Sequence, residues 1–470
     1  MTNTQLMKRK NLHTANGEIK TKLTNETKKK NDTDFAVRES VLTILLRTSL
    51  HIRTIYHIFV AILLLLLFET AIFDFVDRGK INVGVTVVVN GFGDIKRGAK
   101  LWLYEFSVAL LFYPFLTVYS WLFGKFFNKN RATLWIWSMI GIIGLMLLQT
   151  ALVAVPVWDL SRKHLEIASS VSVTIEMFRF VMKVHAVAVA CAPRVYNGSL
   201  LPSFSHYLYF LFAPTLVYRD QYPRTKQIRW GIVLLHFLEV VAIIFYNGFL
   251  WERFILPYWS DYGKQPQVDA GTVVRSMFAC ILPGAIAYLC GFYCLLHAWL
   301  NAFAEMMKFG DRLFYEDWWT TTNFSQFYRA WNRVVHCWLR DYIYQPIRPR
   351  GGRVLSTLAV FVISAIAHEL ILALSFGFFY PVLLIEFGVL GLLFLPLSAG
   401  RRFPNANNLF IWLGLLFGNG TLWSLYPMEY FARQNCPPSE NDSYFIPKSW
   451  SCPEITLKPN WKFKNPLDLL

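Results

Sequence analysis

The chain has 470 residues, of which 55% are hydrophobic, 17% aromatic and 16% charged, and its formal charge is +16. So apolar a composition excludes an ordinary soluble domain and calls for several membrane-crossing helices. The basic residues are spread over short loops between apolar runs, which excludes a nucleic-acid-binding protein and fits loops that face the cytosol and anionic membrane lipids.

Residues 1 to about 50 are rich in Lys, Asn and Thr, include Lys8-Arg9-Lys10 and Lys28-Lys29-Lys30, and hold no cleavable apolar core. They predict a disordered, basic, cytosolic tail, with 51–470 forming one membrane domain. Apolar runs follow near 55–77, 101–123, 133–157, 171–191, 228–250, 276–302, 354–375, 378–397 and 408–424. Each is close to the length that crosses about 30 Å of hydrocarbon, so the expected fold is all-α and polytopic, with about nine transmembrane helices. The fourth run carries Glu176, Arg179, Lys183 and His185, which either line a cavity or mark an amphipathic helix lying at the interface.

Basic loops orient the chain. Lys125, Lys129 and Arg131, then Arg219, Arg224, Lys226 and Arg229, then Arg401 and Arg402 place their loops in the cytosol. Asp159 and Glu166 offset Arg162 and Lys163, and Glu252, Asp261 and Asp269 offset Arg253, Lys264 and Arg275, so those loops read as luminal. Arg78, Lys80, Lys96, Arg97 and Lys100 fit that scheme less well. With the N-terminus in the cytosol, nine spans put the C-terminus in the lumen and the Trp318-Trp319 segment, which follows the sixth, on the cytosolic side.

Among the cysteines, Cys191, Cys280, Cys290, Cys294 and Cys337 lie in or beside apolar or motif segments without metal-ligand spacing, so no metal is expected. Cys436 and Cys452 are isolated in a polar, Pro-rich stretch and are expected to pair if it faces an oxidising lumen. Asn441-Asp442-Ser443 between them is a candidate glycan acceptor.

Two polar, aromatic stretches stand between the sixth and seventh runs: Phe314-Tyr315-Glu316-Asp317-Trp318-Trp319-Thr320, and Tyr328-Arg329-Ala330-Trp331-Asn332-Arg333-Val334-Val335-His336-Cys337-Trp338-Leu339-Arg340. Treated as one helix, the second puts Asn332 and His336 one turn apart, with Arg329, Arg333 and Arg340 within about 40° of one another on the adjacent stripe. An interfacial helix whose arginines snorkel to headgroups would look the same. In the seventh run, Ser364, His368 and Ser375 share a stripe within about 40°, which suits the wall of a tunnel. Glu369 is turned roughly 100° away, so it is expected to bond another helix rather than orient His368. Position 372 is Leu, which excludes a His-Glu-x-x-His zinc motif, and the residues alone leave His368 between a helix tether and a base.

The Phe-Tyr-x-Asp-Trp-Trp and Tyr-Arg-x-Trp-Asn-x-Val-Val-His-x-Trp words resemble the signature of the membrane-bound O-acyltransferases. Tyr218-Arg219-Asp220 and Ala432-Arg433-Gln434-Asn435-Cys436-Pro437 are similar to the sterol O-acyltransferase branch, and the likeness runs from about Ser203 to the C-terminus. The resemblance implies helices around an intramembrane reaction chamber in the endoplasmic reticulum membrane, and dimers or dimers of dimers. It implies acyl transfer from acyl-CoA to a sterol hydroxyl, with no cofactor beyond the acyl-CoA co-substrate. It also implies His368 as general base and Asn332 as oxyanion donor. Tyr315, Asp317, Trp318, Trp319, Arg329, Trp331, Arg333, His336 and Arg340 are then expected at acyl-CoA, and Ser364 and Ser375 along the tunnel. Thr320, Cys337 and Leu370 depart from the family's usual residues and bear on acyl-CoA fit and acceptor preference. The alternatives are a diacylglycerol or fatty-alcohol acyltransferase, or a catalytically silent lipid or sterol transporter.

Overall fold

The computed structural model describes residues 35–127, 130–263, 270–397, 404–437, 442–450 and 452. The expectations placed on residues 1–34, Lys129, Lys264, Asp269, Arg401, Arg402 and Asn441 lie outside them.

The described chain is helical, without named strands. In chain order it runs through α1 (Val41–Thr48), α2 (Leu50–Arg78), α3 (Val85–Phe92), α4 (Ile95–Phe126), α5 (Arg131–Arg162), α6 (Ile167–Asn197) and α7 (Phe204–Phe212). Then come α8 (Trp230–Trp259), α9 (Ala270–Ala279), α10 (Ile281–Met306), α11 (Phe324–Trp331), α12 (Arg333–Leu339), α13 (Gln345–Phe376), α14 (Leu384–Leu397) and α15 (Pro404–Asn435). Among the described residues seven helical stretches are long and apolar enough to cross a membrane: α2, α4, α5, α8, α10, the run from α12 through α13, and α15.

The other two expected spans fall outside that count, which goes by length and composition alone, for separate reasons. α14 is too short to be counted with the seven. α6 is long enough, but its charges are spent inside the protein. Lys183 is 1% exposed and donates to the carbonyls of Phe210 at 2.5 Å and Ala213 at 2.7 Å. Arg179 donates to the carbonyl of Leu211 and pairs with Glu176 at 2.6 Å. Two cations thus satisfy the carbonyls that end α7, where a helix leaves them unpaired and its dipole is negative.

The folded body begins earlier than residue 50. Arg38 pairs with Asp311 at 2.9 Å, its backbone bonds Gly310 and Arg312, and Ser40 is 1% exposed ahead of α1. The apolar 41–46 stretch is too short to register as a span, yet it packs onto the core. Arg97, out of place by charge counting, is neutralised by Asp159 at 2.6 Å. Cys436 and Cys452 form a disulfide with Cα atoms 5.7 Å apart.

Candidate active site

α13 carries His368. It is kinked at Gly352 (φ 67°, ψ −171°), and Gly377 (φ 77°) ends it in the left-handed conformation that glycine adopts without strain. His368 Nδ1 lies 2.7 Å from the carbonyl oxygen of Ser364. A carbonyl only accepts, so Nδ1 carries the proton, and in the neutral ring Nε2 keeps a free lone pair. Phe387 of α14 stacks on the imidazole at 5.1 Å. The His368 side chain is exposed.

Glu369 points elsewhere, as helical periodicity requires. It is 2% exposed and accepts from Tyr426 Oη at 3.0 and 3.1 Å and from the Leu384 amide at 2.9 Å, tying α13 to α15 and α14. Ser364 is half-buried beside the imidazole. Ser375 does not line a tunnel: it is fully buried and its hydroxyl bonds the Ile371 carbonyl at 2.6 Å. A serine hydroxyl on a helix readily turns back to the carbonyl of the preceding turn.

Asn332 breaks the expected single helix. Its backbone (φ −138°, ψ 89°) is non-helical, and its side-chain oxygen accepts from the Val335 amide at 3.1 Å, capping α12. With that oxygen committed, the carboxamide NH2 is the group left to donate. One turn before Asn332, Tyr328 meets Phe387 at 5.5 Å and Phe361 at 5.0 Å, so α11 lies against the same aromatic wall as His368. His336 is half-buried on α12, its amide donating to the Asn332 carbonyl at 2.9 Å.

The break also divides the arginine stripe. Arg329 stays exposed on α11, but Arg333 pairs with Glu316 at 2.5 Å and Arg340 with Asp341 at 2.8 Å. Both, with Arg38 and Arg219, line a cavity of about 60 Å³. Ligand pockets run to about 300–1,000 Å³, so this cavity admits water and not a nucleotide. Arg333 and Arg340 are therefore internal counterions rather than a phosphate dock.

The Trp-Trp word is likewise packing. Trp318 is 2% exposed and meets Trp331 at 4.8 Å and Trp412 at 5.5 Å, while Trp331 stacks on Tyr288 at 4.6 Å. Tyr315 is fully buried with its hydroxyl 2.7 Å from His297 Nδ1. The carbonyl of Trp319 accepts from Asn408 at 3.1 Å and Trp412 at 3.2 Å. Asp317 is exposed and holds the Thr320 hydroxyl at 3.2 Å, so Thr320 still closes this turn. Buried Tyr315 and Trp318 leave no surface for acyl-CoA; they hold α11 and α12 in place. Asp220, in the Tyr-Arg-Asp word, accepts from Arg194 at 2.5 Å, which keeps its carboxyl below the usual range, and so shapes its own loop.

Sequence reasoning passed over Arg348, Arg350 and Arg353. All three are exposed at the start of α13, above His368. A basic run directly ahead of an apolar span was the available signal.

An exposed imidazole in an apolar helix stacks on Phe387, the same ring that Tyr328 of α11 meets one turn before the helix-breaking Asn332. The family model for membrane-bound O-acyltransferases matches residues 126–427, and the chain belongs to that family. It is 37% identical to Sterol O-acyltransferase 1 of Mus musculus over 432 residues, covering 89% of this chain and 79% of that protein. It is 38% identical to Sterol O-acyltransferase 1 of Chlorocebus aethiops over 437 residues (89% and 77%), and 37% identical to Sterol O-acyltransferase 2 of Homo sapiens over 431 residues (89% and 80%).

Proposed function

We propose that this protein transfers a long-chain fatty acyl group from acyl-CoA to the hydroxyl of a sterol such as cholesterol, forming a sterol ester. The observation that carries the reading is the exposed His368 ring, with Nδ1 donating to the Ser364 carbonyl and Nε2 left basic. Likeness to sterol O-acyltransferases over 89% of the chain supports the acceptor.

In this mechanism Nε2 takes the alcohol proton as the oxygen attacks the thioester carbonyl, an assistance worth about 10²- to 10⁴-fold. The Asn332 NH2 stabilises the oxyanion of the tetrahedral intermediate. The C–S bond then breaks, the imidazolium returns its proton to the thiolate, and ester and free CoA remain. Arg329, Arg348, Arg350 and Arg353, exposed around the start of α13, hold the CoA phosphates. From Arg353 to His368 the helix rises roughly 22 Å, so the thioester travels inward on its pantetheine arm.

The basic mouth of α13 faces the cytosol, where CoA is found, and the disulfide end faces an oxidising lumen, which supports an endoplasmic reticulum membrane with N-terminus cytosolic and C-terminus luminal. Dimers or dimers of dimers belong to the same reading, and crosslinking in membranes tests them. Purified protein given labelled acyl-CoA with a sterol, a diacylglycerol and a fatty alcohol should label the sterol ester. Label in triacylglycerol or wax ester instead replaces the acceptor, and no acyl transfer at all overturns the reading.

A further inference from the structure

A cavity of about 370 Å³ lies at the end of α13 remote from Arg348, Arg350 and Arg353, lined by the last residues of α5, α13 and α15 and by Tyr444 of the disulfide-pinned loop. That volume is within the range of ligand pockets, unlike the small arginine-lined cavity. α5, α13 and α15 belong to stretches long and apolar enough to cross a membrane, so their ends mark its surface. On the same segments Trp158, Phe445, Ile446 and Trp450 are exposed, and aromatic side chains collect at the depth of lipid headgroups.

The lining is amphiphilic. Leu160, Leu374, Phe376 and Phe378 make it apolar, Arg162, His164 and Gln434 give it exposed polar groups, and no carboxylate lines it. Arg162 has no ion pair among the described residues; its guanidinium stacks on Trp158 at 4.8 Å, which leaves the N–H donors at its edge free. Lys163 beside it is exposed and also without an ion pair among them. The His164 imidazole packs where a Cβ built on Gly377 would stand 3.0 Å from Nδ1. Neither that ring nor the Gln434 carboxamide has a hydrogen-bond partner among the described residues. The acids on these segments are engaged elsewhere: Asp159 pairs with Arg97 at 2.6 Å, Glu429 with Arg433 at 2.7 Å, and Glu166 accepts from the Asp94 amide at 3.3 Å.

We propose that this cleft binds an acidic membrane phospholipid of the leaflet opposite the basic mouth of α13, its phosphate held by Arg162, His164 and Gln434 and its chain laid on Leu374 and Phe376. From His368 to Gly377 the helix rises roughly 14 Å, so the site is separate from the acyl-transfer centre and does not rest on that reading. Arg162 and Lys163 are each worth roughly fivefold to an anionic headgroup at this depth, which favours a charged phospholipid over a zwitterionic one with the same chains.

Purified full-length protein in mixed micelles is given dioleoyl phosphatidylglycerol and dioleoyl phosphatidylcholine in equal amounts. Native mass spectrometry counts the lipids retained, and thermal melts follow the same preparations. Wild type should retain phosphatidylglycerol over phosphatidylcholine by about tenfold or more, and its melting temperature should rise with the concentration of that lipid. The combined Arg162→Gln, Lys163→Gln and His164→Gln protein should lose both the preference and the rise. Gln434→Trp, which fills the cleft and leaves every charge in place, should lose them too. Replacing Arg348, Arg350 and Arg353 with Gln removes charge at the opposite end and should keep both. Equal retention of the two lipids in wild type overturns the inference without need of a variant. So does a preference that survives in the folded cleft variants, or one that disappears when only the α13 mouth is changed. Displacement of the lipid by excess inorganic phosphate assigns the cleft to a free anion and overturns it as well.

Discussion

His368 and Glu369 are neighbours in sequence with opposite assignments, and helical geometry separates them. The Ser364 carbonyl orients one ring nitrogen of His368, while Glu369 is consumed in joining three helices. If Nε2 is the base, His368→Gln should fold and bind both substrates while kcat falls by about 10²-fold or more, a barrier rise of at least roughly 2.7 kcal/mol. Adding Asn332→Ala should impair less than the product of the single effects, because both residues act on one transition state. Single-turnover kinetics beside a thermal melt checks this, and near-normal turnover in folded His368→Gln protein removes the residue from the chemistry. Both positions proposed for catalysis were legible from the sequence because the resemblance to the family words points to them. Tyr315 and Trp318 were misread because a motif word does not say whether its residues touch ligand or hold the backbone, and only burial separates those roles.

At the scale of elements, the arginine stripe failed at one residue. A helix drawn through 328–340 aligns Arg329, Arg333 and Arg340, but Asn332 caps a new helix there, and an Asn that bonds its own backbone favours such a break. Nothing local announces it, since Trp331 and Arg333 are ordinary helix residues. The phosphate dock proposed here accordingly sits at the mouth of α13, where Arg348, Arg350 and Arg353 are exposed. Replacing Arg348, Arg350 and Arg353 together with Gln should raise the KM for acyl-CoA by about tenfold and weaken its salt dependence, leaving the KM for sterol little changed. Arg333→Gln should act differently: it strands Glu316, so thermal stability falls while the KM for acyl-CoA stays near wild type. Initial rates across salt, with melts of the same preparations, distinguish the two. α6 repeats the lesson. Its charges were visible as anomalies in an apolar run, yet that they end α7 could be known only once Phe210, Leu211 and Ala213 were in place.

At the scale of the whole molecule, the disulfide joins segments 16 residues apart and pins the 442–450 loop to α15. That loop satisfies Glu429, fully buried, through the Lys448 and Ser449 amides at 2.8 Å each, and the Tyr444 hydroxyl donates to the Ala373 carbonyl near the end of α13 at 2.8 Å. Closing a loop of this size is worth about 3 kcal/mol in the chain-entropy model. Cys436→Ser should therefore loosen the disulfide-bonded end locally, seen as faster proteolysis there with little loss of the overall melt. Mass mapping of freshly isolated membranes should find Cys436 and Cys452 alkylated only after reduction; free thiols at both would remove the disulfide and weaken the luminal assignment.

The amino-acid sequence determined by itself that this is a helical membrane protein, roughly where its spans lie, and which histidine stands in an apolar helix. Hydropathy and period are properties of a segment, and burial in lipid enforces them whatever the neighbours are. Tertiary structure alone decided which arginines are exposed, which aromatics are scaffold, and that Ser375 faces its own backbone. Each of those depends on the group opposite, brought from a distant part of the chain, and a side chain's role in a low-dielectric interior is set by whether that group satisfies it.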